Sequence, residues 1–101
     1  MARDWLQKAA EAGNSTAMYN LGLLYETGLG VAEDYGKARD WYQKAAEAGN
    51  STAMYKLARL YLKGPGVAHD DGKAREWLQK AADAGNPWAK QALDDLLGNG
   101  R

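Results

Sequence analysis

The sequence predicts an all-α solenoid of stacked helical hairpins, because its landmarks recur with one fixed period. Residues 2–36 and 38–72 differ at about nine aligned positions. Repeats of this length are typical of hairpins that cannot bury their apolar faces alone and therefore stack on their neighbours. The landmarks lie 36 residues apart and comprise Trp5, Trp41 and Trp77, Gly13, Gly49 and Gly85, and Leu21, Leu57 and Leu93.

Length and charge indicate one small domain without a long-range electrostatic field. The chain has 101 residues, a net charge of zero and no cysteine, so the compartment is not predicted. We expect neither nucleic acid nor membrane as a partner, since a neutral balance attracts neither. No apolar run approaches the ~20 residues of a membrane span, and the opening Met-Ala-Arg-Asp-Trp segment begins a helix, not a signal peptide. A soluble protein is expected.

Two kinds of helix alternate along the chain in the order B-A-B-A-B-A. Their apolar residues recur at three- and four-residue steps, which is the spacing of one helical face. Type B stripes contain alanine and tryptophan, whereas type A stripes contain alanine, leucine, methionine and tyrosine. Type B helices are predicted over 2–12, 35–48 and 71–84, and type A helices over 15–27, 51–63 and 87–97.

Turn residues separate these helices at regular places. Gly13 suits a helix C-terminus because glycine accepts positive φ, and Asn14 can cap the next helix with its side-chain oxygen. Pro87 after Asn86 fits the first helical position. Asp34 and its counterpart Asp70 are the predicted N-caps of the later type B helices. The turn between repeats is therefore only about two residues long.

The predicted organisation is one domain, 1–101, that begins and ends with half a repeat. In the last helix Asp94 and Asp95 stand where the first copy has Gly22 and Leu23 and the second has Ala58 and Arg59. This gives a terminal cap the polar outer surface it needs. The divisions are a half repeat at 1–13, full repeats at 14–49 and 50–85, and a capping half repeat at 86–101.

Three stretches carry a family resemblance. The first copy has Ala-Met-Tyr-Asn-Leu-Gly-Leu-Leu-Tyr at 17–25, Gly-Leu-Gly-Val at 28–31 and Lys-Ala-Arg-Asp-Trp-Tyr-Gln-Lys-Ala-Ala at 37–46, and the second copy matches closely. These residues resemble Sel1-like repeats, relatives of the tetratricopeptide repeat with a longer loop inside the hairpin. The resemblance implies a right-handed α-solenoid that acts as a non-enzymatic adaptor for other proteins.

The resemblance also indicates where a partner would bind. In tetratricopeptide-like solenoids the inner helices line a concave groove that holds peptides, and three mismatches between the copies (23/59, 26/62 and 27/63) fall on the equivalent face. The alternative is a solvated face whose tyrosines pack only against adjacent helices. The candidate partner-binding residues are Tyr19, Asn20, Leu23, Tyr55, Lys56, Arg59, Lys63 and Trp88.

Three of these candidates are basic and follow one helix at i, i+3 and i+7: Lys56, Arg59 and Lys63. Such a row can hold an acidic peptide through charge-assisted hydrogen bonds, or it can simply solvate the surface. The close likeness of the copies also suits a second interpretation of the whole chain, an engineered or consensus scaffold, or an assembly module, without a natural ligand.

No constellation for catalysis, cofactor or metal is evident. The loops that begin at Gly28 and Gly64 lack the third glycine and preceding strand of a phosphate loop. His69 has no second histidine or cysteine beside it, so Asp70 is better explained as a helix cap than as a metal ligand. Ser15 has no candidate base in its neighbourhood. We therefore expect no enzyme.

The tryptophans and the chain ends bear on packing and assembly. Trp41 and Trp77 are expected in the core, whereas Trp88 either covers the C-terminal end or anchors a partner. The first helix has no type A partner before it and leaves Trp5 uncovered, so we expect a monomer or a weak dimer through that helix. Asp94 disfavours head-to-tail stacking, because burying an unpaired carboxylate costs several kcal/mol.

Overall fold

Six helices make up the described part of the chain. The computed structural model describes residues 2–29, 31–64 and 69–98, and no strand occurs within these ranges. The predicted all-α class is confirmed, and every predicted helix boundary lies within one residue of the observed one. In chain order the helices are α1 (Ala2–Glu11), α2 (Ser15–Thr27), α3 (Tyr35–Glu47), α4 (Ser51–Lys63), α5 (Asp71–Asp83) and α6 (Pro87–Gly98). The B helices are α1, α3 and α5, and the A helices are α2, α4 and α6.

The predicted caps form in every repeat. Asn14 accepts a hydrogen bond at its Oδ1 from the backbone N–H of Ala17 at 2.9 Å, and Asn50 and Asn86 repeat this bond at the same distance. Asp34 and Asp70 cap α3 and α5 in the same way, each at 3.0 Å. The glycines before the asparagines have φ between 94° and 97°, a region that favours glycine, so each B-to-A turn closes in three residues.

Helices that follow each other in sequence also pack against each other in space. The main contacts join α1 with α2, α2 with α3, and so on to α6. The molecule is correspondingly elongated, with extents of 48 × 26 × 16 Å. Side chains of α2, α4 and α6 line common cavities, so the A helices share one side of the molecule. This stacking is what a solenoid of helical hairpins requires.

Alanines and a few large side chains fill the core. The largest fully buried side chains are Leu21, Tyr42, Leu57 and Leu78, one or two from each hairpin. Alanine at the remaining core positions lets the helix backbones approach closely. The apolar stripe predicted for α4 is wholly buried and comprises Ala53, Met54, Leu57, Leu60 and Tyr61. The stripe predicted for α2 is buried at Ala17 and Leu21 and half-buried at Met18, Leu24 and Tyr25.

The repeat tryptophans lie at the edge of the core, not inside it, which corrects the expectation from sequence. Trp41 and Trp77 are each half-buried, and the residues that follow them, Tyr42 and Leu78, take the central positions. A lysine one turn later covers one ring face: Lys44 Nζ lies 4.6 Å from the Trp41 ring centroid, and the equivalent pair in α5 has the same distance. A ring as large as indole rarely fits wholly inside so thin a core.

Candidate binding surface

The side of the molecule that the A helices share, which we call the A-face, carries three of the cavities found among the described residues. Arg59 lines all three. The aromatic cavity, of about 410 Å³, is lined by Tyr19, Thr52, Tyr55, Lys56, Arg59 and Trp88. The apolar cavity, of about 480 Å³, is lined by Tyr55, Arg59, Leu62, Lys63, Ala92, Asp95 and Leu96. The small cavity, of about 130 Å³, is lined by Glu26, Lys56, Arg59, Leu60, Lys63 and Gly64.

Six of the eight residues singled out from sequence line these cavities. The other two, Asn20 and Leu23, are half-buried and line none of the three, and Leu23 packs against the main core cluster. Four of the six come from α4, so this helix carries most of the candidate surface, and α2 and α6 contribute one each: Tyr19, Tyr55, Lys56, Arg59, Lys63 and Trp88.

Aromatic and cationic groups are arranged in a row across the aromatic cavity. The Tyr55 ring centroid is 6.2 Å from that of Trp88, and the Arg59 guanidinium carbon is 5.8 Å from the Tyr55 ring centroid. Trp88 retains 60% of its accessible surface. The tyrosine therefore holds its two neighbours in place by packing and cation–π attraction, while most of the indole stays open to a partner.

Three cations on α4 stand apart from the carboxylates of the described residues. Across the described ranges, no carboxylate lies within ion-pair distance of Lys56, Arg59 or Lys63. The acidic residues nearby have other partners. Glu26 accepts a hydrogen bond from the Tyr42 hydroxyl at 2.5 Å, and Asp95 accepts one from the Gln91 amide at 2.9 Å. A row of cations without carboxylate partners can accept an anionic group from elsewhere.

Glu26 was expected on the binding face only, and the structure gives it a packing role as well. Its partner Tyr42 is fully buried, and burial, the hydrogen bond to Glu26 and the charge of Glu26 raise the pKa of Tyr42. The Tyr42 phenol therefore stays protonated and donates. The same ring fills the space beside Gly22, where an added Cβ would lie 2.5 Å from Tyr42 Cε1.

Three mismatches between the repeats therefore belong to one packing unit. The second repeat replaces Gly22, Glu26 and Tyr42 with Ala58, Leu62 and Leu78. Ala58 has room for its methyl group because Leu78 replaces the tyrosine ring. Leu62 can replace the glutamate because there is no longer a tyrosine hydroxyl that needs an acceptor. The sequence contained this signal as two exchanges one helical turn apart, at 22/58 and 26/62, together with one on the next helix at 42/78. The exchange at 26/62 was interpreted only as variation of a groove.

Sequence reasoning also missed part of the apolar cavity. Ala92 and Leu96 were not among the candidates, and they line it together with Leu62 and Asp95. The signal was again an exchange: alanine at 92 stands where the earlier A helices have Asn20 and Lys56. A small side chain there leaves space on the surface that a lysine would occupy.

The described loop residues have capping and local contacts. No group of three or more histidine, aspartate or glutamate side chains that could hold a metal ion is found there. Asp70 caps α5, as expected, and His69 Nε2 lies 3.3 Å from the carbonyl oxygen of Gly64. Gly30 and residues 65–68 lie outside the described ranges. No described helix has the length and apolar character needed to cross a bilayer.

Comparison with known proteins places these features in a family. The Sel1 repeat model matches residues 1–14, 15–50 and 51–86. No curated protein sequence matches the chain. The structure is similar to that of a Sel1 repeat protein from Oxalobacter formigenes, with a TM-score of 0.87 and 47% identity over 91% of this chain and 69% of that one.

Two further solved structures are similar. A protective antigen present in uropathogenic Escherichia coli strains, which displays an SLR fold, gives a TM-score of 0.90 and 41% identity over 96% of this chain. The match covers 21% of that protein, so the chain spans about a fifth of its length. Helicobacter pylori cysteine rich protein B gives a TM-score of 0.86 and 28% identity over 90% of this chain and 68% of that one.

Proposed function

Because the chain belongs to the Sel1-repeat family, we propose that it is a non-enzymatic scaffold whose A-face binds an acidic segment of another protein. Sel1-repeat proteins are in general protein-interaction scaffolds, and the family fold is not an enzymatic one. The observation that carries the acidic specificity is the row of three cations on α4 that have no carboxylate partner in the described part of the chain.

The composition of the A-face supports a binding role. Tyrosine, tryptophan and arginine are the residues most enriched in the energetic centres of protein interfaces, and Tyr55, Arg59 and Trp88 form a contiguous row here. Arginine pairs with carboxylates through two parallel hydrogen bonds, whereas lysine acts as a point charge. An acidic segment laid along α4 would meet both kinds of cation and two aromatic rings.

A nuclear magnetic resonance titration tests the proposal. The probe is a capped peptide of alternating glutamate and alanine, added to ¹⁵N-labelled protein, and chemical-shift changes are expected along α4 and at Trp88. The variant Lys56→Ala/Arg59→Ala should weaken binding about tenfold, since each charged hydrogen bond contributes about 1.5–3 kcal/mol before solvent screening. The matched control Lys8→Ala/Arg75→Ala removes the same charge from exposed positions of B helices and should leave the affinity unchanged.

The outcome separates the proposal from its alternative. If the capped peptide shifts no A-face resonance, or if the two double variants weaken binding equally, the A-face is not an acidic-peptide site. A scaffold or assembly module without a natural ligand then becomes the better interpretation.

We propose in addition that the protein is a monomer or forms a weak dimer through α1. Trp5 retains 74% of its accessible surface, which leaves a large apolar ring open on that helix. Asp94 on α6 is exposed, and stacking another repeat on it would bury its charge. Sedimentation velocity should show a monomer, with at most a small fraction of dimer at high protein concentration, and Trp5→Ser should remove that fraction. Long open polymers would contradict the proposal.

A further inference from the structure

The apolar cavity on the A-face combines an apolar lining with cations on one wall. Leu62, Ala92 and Leu96 are half-buried and pack against the main core cluster, so they offer a supported apolar surface. On the α4 wall lie Arg59 and Lys63, both exposed. A supported apolar surface of this kind is what an anchoring side chain needs at an interface.

Exchanges between the repeats explain why the space between α4 and α6 is larger and more apolar than the equivalent space between α2 and α4. One repeat earlier, between α2 and α4, Lys56 and Glu26 occupy the positions of Ala92 and Leu62. The corresponding space there is the small cavity, which has a volume of about 130 Å³ against about 480 Å³ for the apolar cavity. The replacement of a lysine by an alanine thus opens the space, and the replacement of a glutamate by a leucine makes it apolar.

The charges beside the cavity indicate what flanks the anchor. The α4 wall carries Arg59 and Lys63, and the α6 wall carries Asp95, whose carboxylate is held by Gln91. A carboxylate beside the anchor is therefore favoured on the α4 side and repelled on the α6 side. A bound segment with an acidic residue next to an apolar one satisfies both the lining and the α4 wall.

We propose that the apolar cavity takes one large aliphatic side chain of the bound segment, and that Arg59 and Lys63 hold the side-chain carboxylate next to it. This inference rests on the proposed function and adds the chemistry of the recognised motif, an aliphatic residue that adjoins glutamate or aspartate. The anchor contributes apolar burial, which charge alone does not supply.

The test compares two capped peptides that differ only at the central residue, leucine or alanine between glutamates. Burying a leucine side chain in part should make the leucine peptide bind about tenfold more tightly to the wild-type protein. The Ala92→Lys variant places in the cavity the residue that the second repeat carries at this position, so the two peptides should then bind equally. The control Ala48→Lys adds the same charge at an exposed site and should preserve the tenfold preference.

The ratio of the two affinities is the decisive quantity, because the added lysine by itself attracts both acidic peptides. Methyl resonances of Ala92 and Leu96 should shift with the leucine peptide and much less with the alanine peptide, which checks the site without any substitution. Equal binding of both peptides to the wild-type protein, or a preference that survives Ala92→Lys, overturns the inference while leaving the proposed function intact. If neither peptide shifts any A-face resonance, both the inference and the proposed function are overturned.

Discussion

The two full repeats differ in two separate ways, and the difference shows which substitutions maintain packing and which change the surface. One set of exchanges, from Gly22, Glu26 and Tyr42 to Ala58, Leu62 and Leu78, replaces a hydrogen-bonded tyrosine by an apolar contact. A second set, at 20/56, 23/59 and 27/63, introduces the three cations of α4. The first set is linked by contact, whereas the second is linked only by facing the same side.

The largest expected effect comes from breaking the linked set at one position. Gly22→Ala copies the second repeat but places a Cβ 2.5 Å from Tyr42 Cε1. Overpacking a filled core costs about 1–3 kcal/mol, and a separation this far inside van der Waals contact puts Gly22→Ala at the upper end of that range. The better helix propensity of alanine offsets about 1 kcal/mol, so we expect a net loss of about 2 kcal/mol in urea unfolding. With Tyr42→Leu in place, the same change should stabilise by up to about 1 kcal/mol. A loss of equal size in both backgrounds would show that the exchanges are independent.

Tyr42 should also make the folding stability depend on pH in a way that its counterpart in the second repeat, Leu78, cannot. The folded-state pKa of Tyr42 is raised above its unfolded value of about 10, so the stability it contributes is complete below pH 10 and falls as the pH rises further. Wild-type stability should therefore fall above pH 10 more steeply than that of Tyr42→Phe, by about 1.4 kcal/mol per pH unit. Urea unfolding between pH 9 and 11 measures the two slopes, and parallel slopes would contradict the hydrogen-bonded, buried phenol.

The second set of exchanges should affect binding and leave folding largely unchanged. Arg59→Leu/Lys63→Thr gives α4 the residues that α2 carries at Leu23 and Thr27. Both positions are exposed, so the unfolding free energy should change by less than about 0.5 kcal/mol. Affinity for the capped acidic peptide should fall about tenfold and should lose much of its dependence on salt. A variant that unfolds more easily but binds normally would reverse the assignment of the two sets.

The smallest expected effect is the difference in stability between two caps that look identical in sequence. Asn14 is exposed, whereas Asn86 is 4% exposed, yet both accept the same 2.9 Å hydrogen bond. Asn86→Ala should cost about 1–2 kcal/mol, since it leaves the buried backbone amide of Ala89 without its acceptor, and Asn14→Ala about 0.5–1 kcal/mol. Thermal unfolding of the two variants compares them directly. Equal costs would mean that burial of the cap adds nothing.

Periodicity was sufficient to predict the fold, because a hairpin repeat fixes helix type, order and turn position together. The caps at Asn14 and Asp34 were predictable for the same reason, since each occupies a position defined by the helix it starts. The burial of Trp41 was predicted wrongly, because the spacing of a helical stripe shows which way a side chain points but not how deeply it is buried. Depth depends on the neighbouring helices, and Tyr42 on the same helix lies deeper.

The candidate surface was predictable only for side chains that project from it. Tyr55, Arg59 and Trp88 were predicted because a large or charged side chain on the outward face of a helix is itself visible in the sequence. The apolar cavity was missed because its defining residue, Ala92, is small, and what matters there is the space it leaves. Such space is visible only when the residues around it have been placed.

The variant Gly22→Ala/Glu26→Leu/Tyr42→Leu, which transfers the whole linked set from the second repeat into the first, tests the account most directly. Its free energy of unfolding in urea should lie within about 1 kcal/mol of the wild-type value, although Gly22→Ala alone is expected to cost about 2 kcal/mol. If the triple variant instead loses as much stability as its single substitutions sum to, the three residues are not one packing unit and the division of the exchanges into packing and surface sets fails.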